Sequence, residues 1–255
     1  MISGASLELA RFLDDGRREV ERTLDALCAA PETRPEALHR AMRYTLLLPG
    51  KRLRPLITIA CAGLLRGPRA IAVPLGCAIE MVHASSLILD DLPSQDNATL
   101  RRGQPTLHRV SGEANATLAS VALLTHAFRT VATVEGLRDR SRNECVAVLA
   151  EAVGGRGLIA GQVVDLACTG SAIGLDELEY IHSHKTGALF LAAAEFGAIA
   201  AGGRDRDREA LRGFAKNLGL AFQITDDVLD ATGEPSVTGK DAGMDRDHTT
   251  FVSLC

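Results

Sequence analysis

The chain has 255 residues, 46% of them hydrophobic and 24% charged, which is ordinary for a soluble globular protein and allows one large or two small domains. A net charge of −4 argues against a general nucleic-acid binder. Aromatic residues make up only 4%, with no Trp, so close-packed helices are favoured over β-structure.

Leu7, Ala10 and Leu13, then Val20, Leu24 and Leu27, place apolar residues at helical three- and four-residue steps. Pro31 and Pro35 break that pattern before a second helix through Leu38, Met42 and Leu46, which Pro49-Gly50 ends. Leu53 to Leu65 is predicted as the third helix, with Pro55 in its first turn, where a missing N–H costs little. A long apolar helix runs from about Arg69 to Leu92 and stops near Pro93. Further helices are predicted over roughly 113–134, 138–167, 175–202 and 206–231. The most apolar stretch, Thr186 to Gly203, is interrupted by Glu195 and reads as a buried helix, so no stable membrane insertion is expected. No repeat, low-complexity tract, flexible linker or sustained period-two alternation is visible. One all-α domain over residues 1–255 is the economical reading.

Cys28, Cys61, Cys77, Cys145, Cys168 and Cys255 form no CxxC pair and read as small buried residues in a reducing compartment. The N-terminus carries charge without the apolar core of a signal peptide, and a cytoplasmic enzyme is expected.

Two acidic clusters carry chemistry. The first, in LILDDLPSQDNATLRRGQPT, holds Asp90, Asp91 and Asp96. An unbroken helix would rotate Asp96 by about 600° from Asp90, but Pro93 interrupts it, so Asp96 can swing back. Acids at a helix C-terminus need a compensating cation, which a metal ion supplies. The second cluster is Asp226, Asp227 and Asp230 in AFQITDDVLD. Asp226 and Asp230 lie about 40° apart around a helix, Gln223 joins the same stripe, and Leu211, Phe214, Leu218 and Phe222 form an apolar ridge opposite. Hard divalent cations such as Mg²⁺ take carboxylate oxygens together with substrate phosphates. Basic residues beside turns, in Gly50-Lys51-Arg52-Leu53-Arg54-Pro55 and Arg101-Arg102-Gly103, with Lys185-Thr186 further on, suit phosphate oxygens. Each cluster alone is also compatible with a solvated face.

With these motifs the chain resembles the trans-isoprenyl diphosphate synthases (polyprenyl synthetases), particularly bacterial-type geranylgeranyl diphosphate synthases. PGKRLRP, the run from IEMVH into DDLPSQD, LRRGQPT, GQVVDL, HKTGALF, FQITDD and GKDAGMD carry the resemblance, from about Leu38 to the end. It implies an isoprenoid-synthase-type helical bundle around a central cavity. It also implies Mg²⁺-dependent condensation of isopentenyl diphosphate with an allylic diphosphate, with up to three ions bound beside diphosphate, and a homodimer. Asp90 and Asp96 match the first metal motif, with Asp91 in support; Asp226 matches the principal ligand of the second, accompanied by Asp227 and Asp230. Lys51, Arg54, His83 and Arg102 match the isopentenyl diphosphate pocket. Arg101, Lys185 and Lys240 match groups holding the allylic diphosphate, and Thr186 and Gln223 match oxygens facing the carbocation. Gln162 and Asp165 fall in a segment lining the same cavity.

Ser85 and Ser86, small residues about 6–7.5 Å before Asp90 along the helix, leave the product tunnel open in this reading and favour a twenty-carbon product. At His248 the family usually has Lys, which removes one diphosphate contact unless the imidazole is protonated. Because the family usually continues past the position of Cys255, the chain is expected to lack its final helices.

Other readings stay open at this level. Glu80-Met81-Val82-His83 and Glu179-Tyr180-Ile181-His182 have the E-x-x-H spacing of helical di-iron proteins. A fifteen-carbon product, a terpene cyclase or a non-catalytic partner subunit would use similar helices.

Overall fold

The computed structural model describes residues 4–232 and 249–254. The described chain is almost wholly helical, as predicted. Helices α1 (Gly4–Leu27), α2 (Glu36–Leu46), α3 (Leu53–Leu64) and α4 (Arg69–Asp90) follow the proline and glycine punctuation read from the sequence. A ribbon of β1 (Leu100–Arg101) and β2 (Gln104–Pro105) leads into the short α5 (Leu107–Ser111) and the long α6 (Glu113–Thr133). Then come α7 (Asp139–Val153), α8 (Leu158–Cys168), α9 (Leu175–Ile181), a π-helical turn (His182–Gly187), α10 (Ala188–Ala200), α11 (Asp205–Thr232) and α12 (Phe251–Leu254).

Helix α10 is the hub, packed against α3, α4, α7 and α11. Its buried residues run almost without a break from Ala188 to Ala200, as the apolar stretch requires. Glu195, the charge that interrupts it, pairs with Arg212 of α11. Helix α4 is nearly as deeply set, between α3, α6 and α10. It is one of two helical stretches among the described residues long and apolar enough to cross a membrane, and its burial in the core accounts for that composition.

Three details differ from the sequence reading. The predicted helix over 138–167 is two helices, because Gly154-Gly155-Arg156-Gly157 turns the chain. A Cβ at Gly157 would lie 2.2 Å from the Ala152 carbonyl oxygen, so the turn tolerates no side chain there. The helix over 175–202 is continuous but widened at 182–187. The Tyr180 carbonyl there accepts from the Ser183 hydroxyl at 3.0 Å and sits 2.8 Å from His184 Nδ1. The third is the ridge on α11: Leu211 is buried, whereas Phe214 is 52% exposed.

Close helix contacts depend on glycine. A Cβ at Gly197 in α10 would stand 2.5 Å from the Thr58 carbonyl oxygen and 2.9 Å from the Ala62 nitrogen, both backbone atoms of α3. Gly197→Ala is therefore expected to destabilise by about 1–3 kcal/mol despite alanine's better helix propensity. Gly213 in α11 has nothing within 4 Å, so Gly213→Ala is expected to stabilise by up to about 1 kcal/mol. Urea denaturation of both variants checks the opposite signs.

Candidate active site

Two cationic turns meet beside the middle of α4, at Glu80. Arg52 takes a left-handed backbone (φ 51°) at the start of α3, and Arg102-Gly103 form the two-residue turn of the β-ribbon, both with positive φ (53° and 74°). Such a conformation is uncommon for a non-glycine residue and is held by its surroundings. Arg102 Nη1 donates to the Leu48 carbonyl at 3.1 Å, and Arg52 Nη2 donates to the same oxygen at 2.6 Å. Gly50 lets the Arg102 guanidinium lie close to the backbone: a Cβ would stand 2.7 Å from Arg102 Nη1, which would have to shift.

Glu80 balances this cluster. Arg52 Nη1 donates to its Oε1 at 2.8 Å, with both side chains almost fully buried, and Arg102 stands 4.0 Å away. Arg54 lies over the Phe190 ring at 4.9 Å, and Lys51 approaches the Phe222 ring at 5.9 Å. Burial, opposed by Glu80 and assisted by Arg102, lowers the Arg54 pKa to about 10. Its Nε is buried with no hydrogen-bond partner. Burial, followed by the fields of Arg54, Arg102, Arg101 and Arg52, pushes His83 well below the ordinary histidine range, so it is neutral. Neutral imidazole and guanidinium forks make a pocket for an anion. The same contacts remove the di-iron reading at Glu80 and His83, since an arginine-surrounded pair repels metal cations.

The carboxylate pole lies at the C-terminal end of α4. His83 and Asp90 are seven residues apart, hence on one helix face about 10.5 Å from each other. The loop after Pro93 does turn back: the Asp96 amide donates to the Asp90 carbonyl at 2.9 Å. Gln162 Nε2 of α8 donates to Gln95 Oε1 at 2.8 Å and steadies that loop. Asp91 behaves otherwise. It is 3% exposed and accepts from Arg101 Nε at 3.0 Å and Nη2 at 2.5 Å. Arg101, expected on the allylic diphosphate, is thus anchored by Asp91.

The π turn joins this pole to α11. Lys185 Nζ donates to Asp165 Oδ2 at 2.6 Å, and the fields of Asp90, Asp165 and Asp96 outweigh burial to raise its pKa. The turn lies tight on α8, where a Cβ at Gly161 would fall 2.3 Å from the Lys185 nitrogen. Next along the chain, Thr186 Oγ1 donates to Gln223 Oε1 at 3.0 Å, and Gln223 Nε2 donates to Asp227 Oδ1 at 2.8 Å. Asp226 is half-buried one position before Asp227 on α11. Lys240 and His248 lie outside the described residues, and so does the side chain of Asp230.

Ser85 and Ser86 part company. Ser86 stands about 40° from the Asp90 direction on α4. Ser85 faces away, 4% exposed, its Oγ 3.0 Å from the Ser120 carbonyl and 2.9 Å from the Ser120 hydroxyl on α6. Gln95 and Ser120 are site neighbours without a role in the sequence reading, and Glu80 and His182 entered it only through the E-x-x-H spacing.

The donors suit magnesium. Among the described residues no three His, Cys, Asp or Glu side chains form a ready cage. Magnesium uses one or two carboxylates and completes its shell with substrate phosphates and water, which the pair Asp90 and Asp96 can serve.

The family model for polyprenyl synthetase matches residues 35–254. Geranylgeranyl pyrophosphate synthase 7, chloroplastic, from Arabidopsis thaliana is 46% identical over 240 residues, covering 92% of this chain and 69% of the relative. The heterodimeric geranylgeranyl pyrophosphate synthase large subunit 1, chloroplastic, from the same plant is 47% identical over 258 residues, 98% of this chain and 69% of that one. Among solved structures, a geranyltransferase from Helicobacter pylori complexed with magnesium and isoprenyl diphosphate superposes with a TM-score of 0.83 at 31% identity, covering 95% of this chain and 83% of that chain. The expectation of a cytoplasmic enzyme is corrected by these relatives, both named chloroplastic. Buried thiols at Cys28, Cys61, Cys77 and Cys145 separate reducing from oxidising surroundings, not one reducing compartment from another.

Burial, with Asp96 and Asp91 adding to it against Lys185 and Arg101, raises the Asp90 pKa from 3.8 to about 6. The fold thus favours the protonated carboxyl, a contribution to stability present below about pH 4 and lost as pH rises through about 6. Asp90→Asn is expected to raise the melting temperature of metal-free protein above pH 6, with the gap closing towards pH 4. Added Mg²⁺ is expected to raise the melting temperature of the parent alone. Calorimetric scans across pH 4–8 check both.

Proposed function

The chain belongs to the polyprenyl synthetase family, and from that membership we propose a Mg²⁺-dependent prenyltransferase that joins isopentenyl diphosphate to an allylic diphosphate and yields all-trans geranylgeranyl diphosphate. The observation that carries this reading is the arrangement on α4. An anion pocket around His83 and a carboxylate pole at Asp90 share one face about 10.5 Å apart, so two diphosphate heads can bind separately while their hydrocarbon parts meet.

Lys51, Arg54, His83 and Arg102 seat isopentenyl diphosphate, with the partnerless Arg54 Nε as one donor. Lys185, Arg101 and Lys240 hold the allylic diphosphate, and Asp90, Asp96 and Asp226 are the carboxylates for up to three Mg²⁺ ions, with Asp230 beside them. Bound Mg²⁺ would neutralise charge on the departing diphosphate and so assist ionisation of its C–O bond. Thr186 and Gln223, locked together at 3.0 Å, present oxygens to the resulting cation. The isopentenyl double bond then attacks C1 of the allylic cation through its C4, the positive charge passes to C3 of the isopentenyl unit, and C2 beside it loses a proton to the released diphosphate. Atoms and charge balance without a protein nucleophile.

The assembly is read as a homodimer built on α6, where Leu118 is 62% and Val121 52% exposed, one turn apart. Sedimentation of purified protein is expected to give twice the chain mass; a monomer, or mass gained only with a different subunit, overturns that reading.

Incubation with labelled isopentenyl diphosphate and dimethylallyl, geranyl or farnesyl diphosphate is expected to give a twenty-carbon product that disappears in a chelator. Condensation persisting in the chelator, or absent with every primer, overturns the proposal. Ser86→Phe is expected to move the main product to fifteen carbons or fewer. Ser85→Tyr should shorten it too, but at a cost in thermal stability, because the ring displaces the Ser120 hydrogen bonds.

A further inference from the structure

The second acidic motif contains two neighbouring aspartates in different surroundings. Asp227 is 4% exposed, and each of its oxygens already meets a donor. Oδ1 accepts from Gln223 Nε2 at 2.8 Å, and Oδ2 accepts from the Phe251 backbone N–H at 2.9 Å. His182, the first residue of the π turn, places Nε2 3.9 Å from Oδ2. That nitrogen is buried and lacks a hydrogen-bond partner, and the imidazole stacks on the Phe251 ring with centroids 5.1 Å apart. The Asp227 carboxylate therefore gathers three elements: α11, the π turn and the segment opening α12. A carboxylate so enclosed offers little room for a hydrated cation, whereas Asp226, about 100° round the helix, is half-buried.

We propose that Asp227 is a positioning residue and not a metal ligand: it orients Gln223 towards Thr186 and latches Phe251, stacked on His182, over the end of α11. The role rests on the transferase reading, since it works through the oxygens of Thr186 and Gln223 that face the carbocation. With Asp227 in place, the Gln223 amide can present only Oε1 to Thr186, because its Nε2 is committed to the carboxylate. Remove the charge and the amide can flip, turning a donor towards a developing cation. The ligand role in this motif then falls to Asp226.

Asp227→Asn tests this directly. Asparagine offers one acceptor where two N–H groups point, so one of the two hydrogen bonds must be lost. The expected result is a fall in kcat of about tenfold or more, with KM for both diphosphates within about twofold, as befits an interaction realised in the transition state. The Mg²⁺ concentration for half-maximal rate should stay within about twofold of the parent for Asp227→Asn and rise about tenfold for Asp226→Asn. The double variant Asp227→Asn/Gln223→Leu should be no slower than the slower single variant, because both act through one amide. Phe251→Ala, which leaves every aspartate intact, guards against a folding defect and should also lower kcat without changing the Mg²⁺ requirement. A Mg²⁺ requirement raised as far in Asp227→Asn as in Asp226→Asn, or an unchanged kcat in Phe251→Ala, overturns the positioning role. Calorimetric binding of inorganic diphosphate, which needs no turnover, separates the two failures. Loss of Mg²⁺-dependent binding in the parent overturns the transferase reading itself, and its loss in Asp227→Asn alone overturns only the latch.

Discussion

Lys185 is the cation on which both halves of the site depend. Its ammonium bonds Asp165 at 2.6 Å and lies in the fields of Asp90 and Asp96, while its neighbour Thr186 bonds Gln223. One residue along the backbone thus separates the carboxylate pole of α4 from the acidic motif of α11. The π turn makes that possible by widening the helix where the two side chains emerge, and Gly161 lets α8 press against its backbone. Carboxylates assembled this way repel one another unless a cation is present. Lys185 supplies part of that compensation permanently.

The cationic pocket follows the opposite rule with the same logic. Arg52, Arg54 and Arg102 crowd around a neutral His83, and Glu80 offsets only part of their charge. A fully balanced pocket would have no use for a diphosphate, and an unbalanced one would weaken the fold. Burying the Glu80–Arg52 pair keeps the Arg52 guanidinium fixed, while Arg54 Nε stays buried without a hydrogen-bond partner. Stability is surrendered beside Glu80 and at the C-terminal end of α4, and the deep packing of α4 and α10 offsets the loss.

Much of this was legible in the sequence because it depends on spacing. The helices from α1 to α4 follow prolines, glycines and apolar periodicity, and the return of Asp96 to Asp90 follows from Pro93. What stayed hidden depends on which neighbour a side chain meets. Ser85 and Ser86 are equivalent as letters, yet a 100° turn sends one to Ser120 and leaves the other beneath Asp90. The break at Gly154–Gly157 carried a signal in its three glycines, whereas the π turn carried none, since HSHKTG also suits an α-helix. Glu80 was visible only as half of an E-x-x-H pattern; its arginine partner comes from a turn 28 residues away in sequence.

The doubled aspartates have a common geometry. Adjacent residues on a helix point about 100° apart, so two consecutive carboxylates cannot both address the same ligand with equal ease. At the end of α4, Asp91 turns inward and fixes Arg101, leaving Asp90 on the face shared with His83. On α11, Asp227 turns inward and fixes Gln223 and Phe251, leaving Asp226 beside it. In the proposed site each pair divides its labour between an acid set to address the cation and one that anchors the neighbouring structure. A metal site built from single carboxylates needs that second group, because a ligand is only as well placed as the backbone carrying it, and both motifs sit where a helix meets a loop or a short terminal turn.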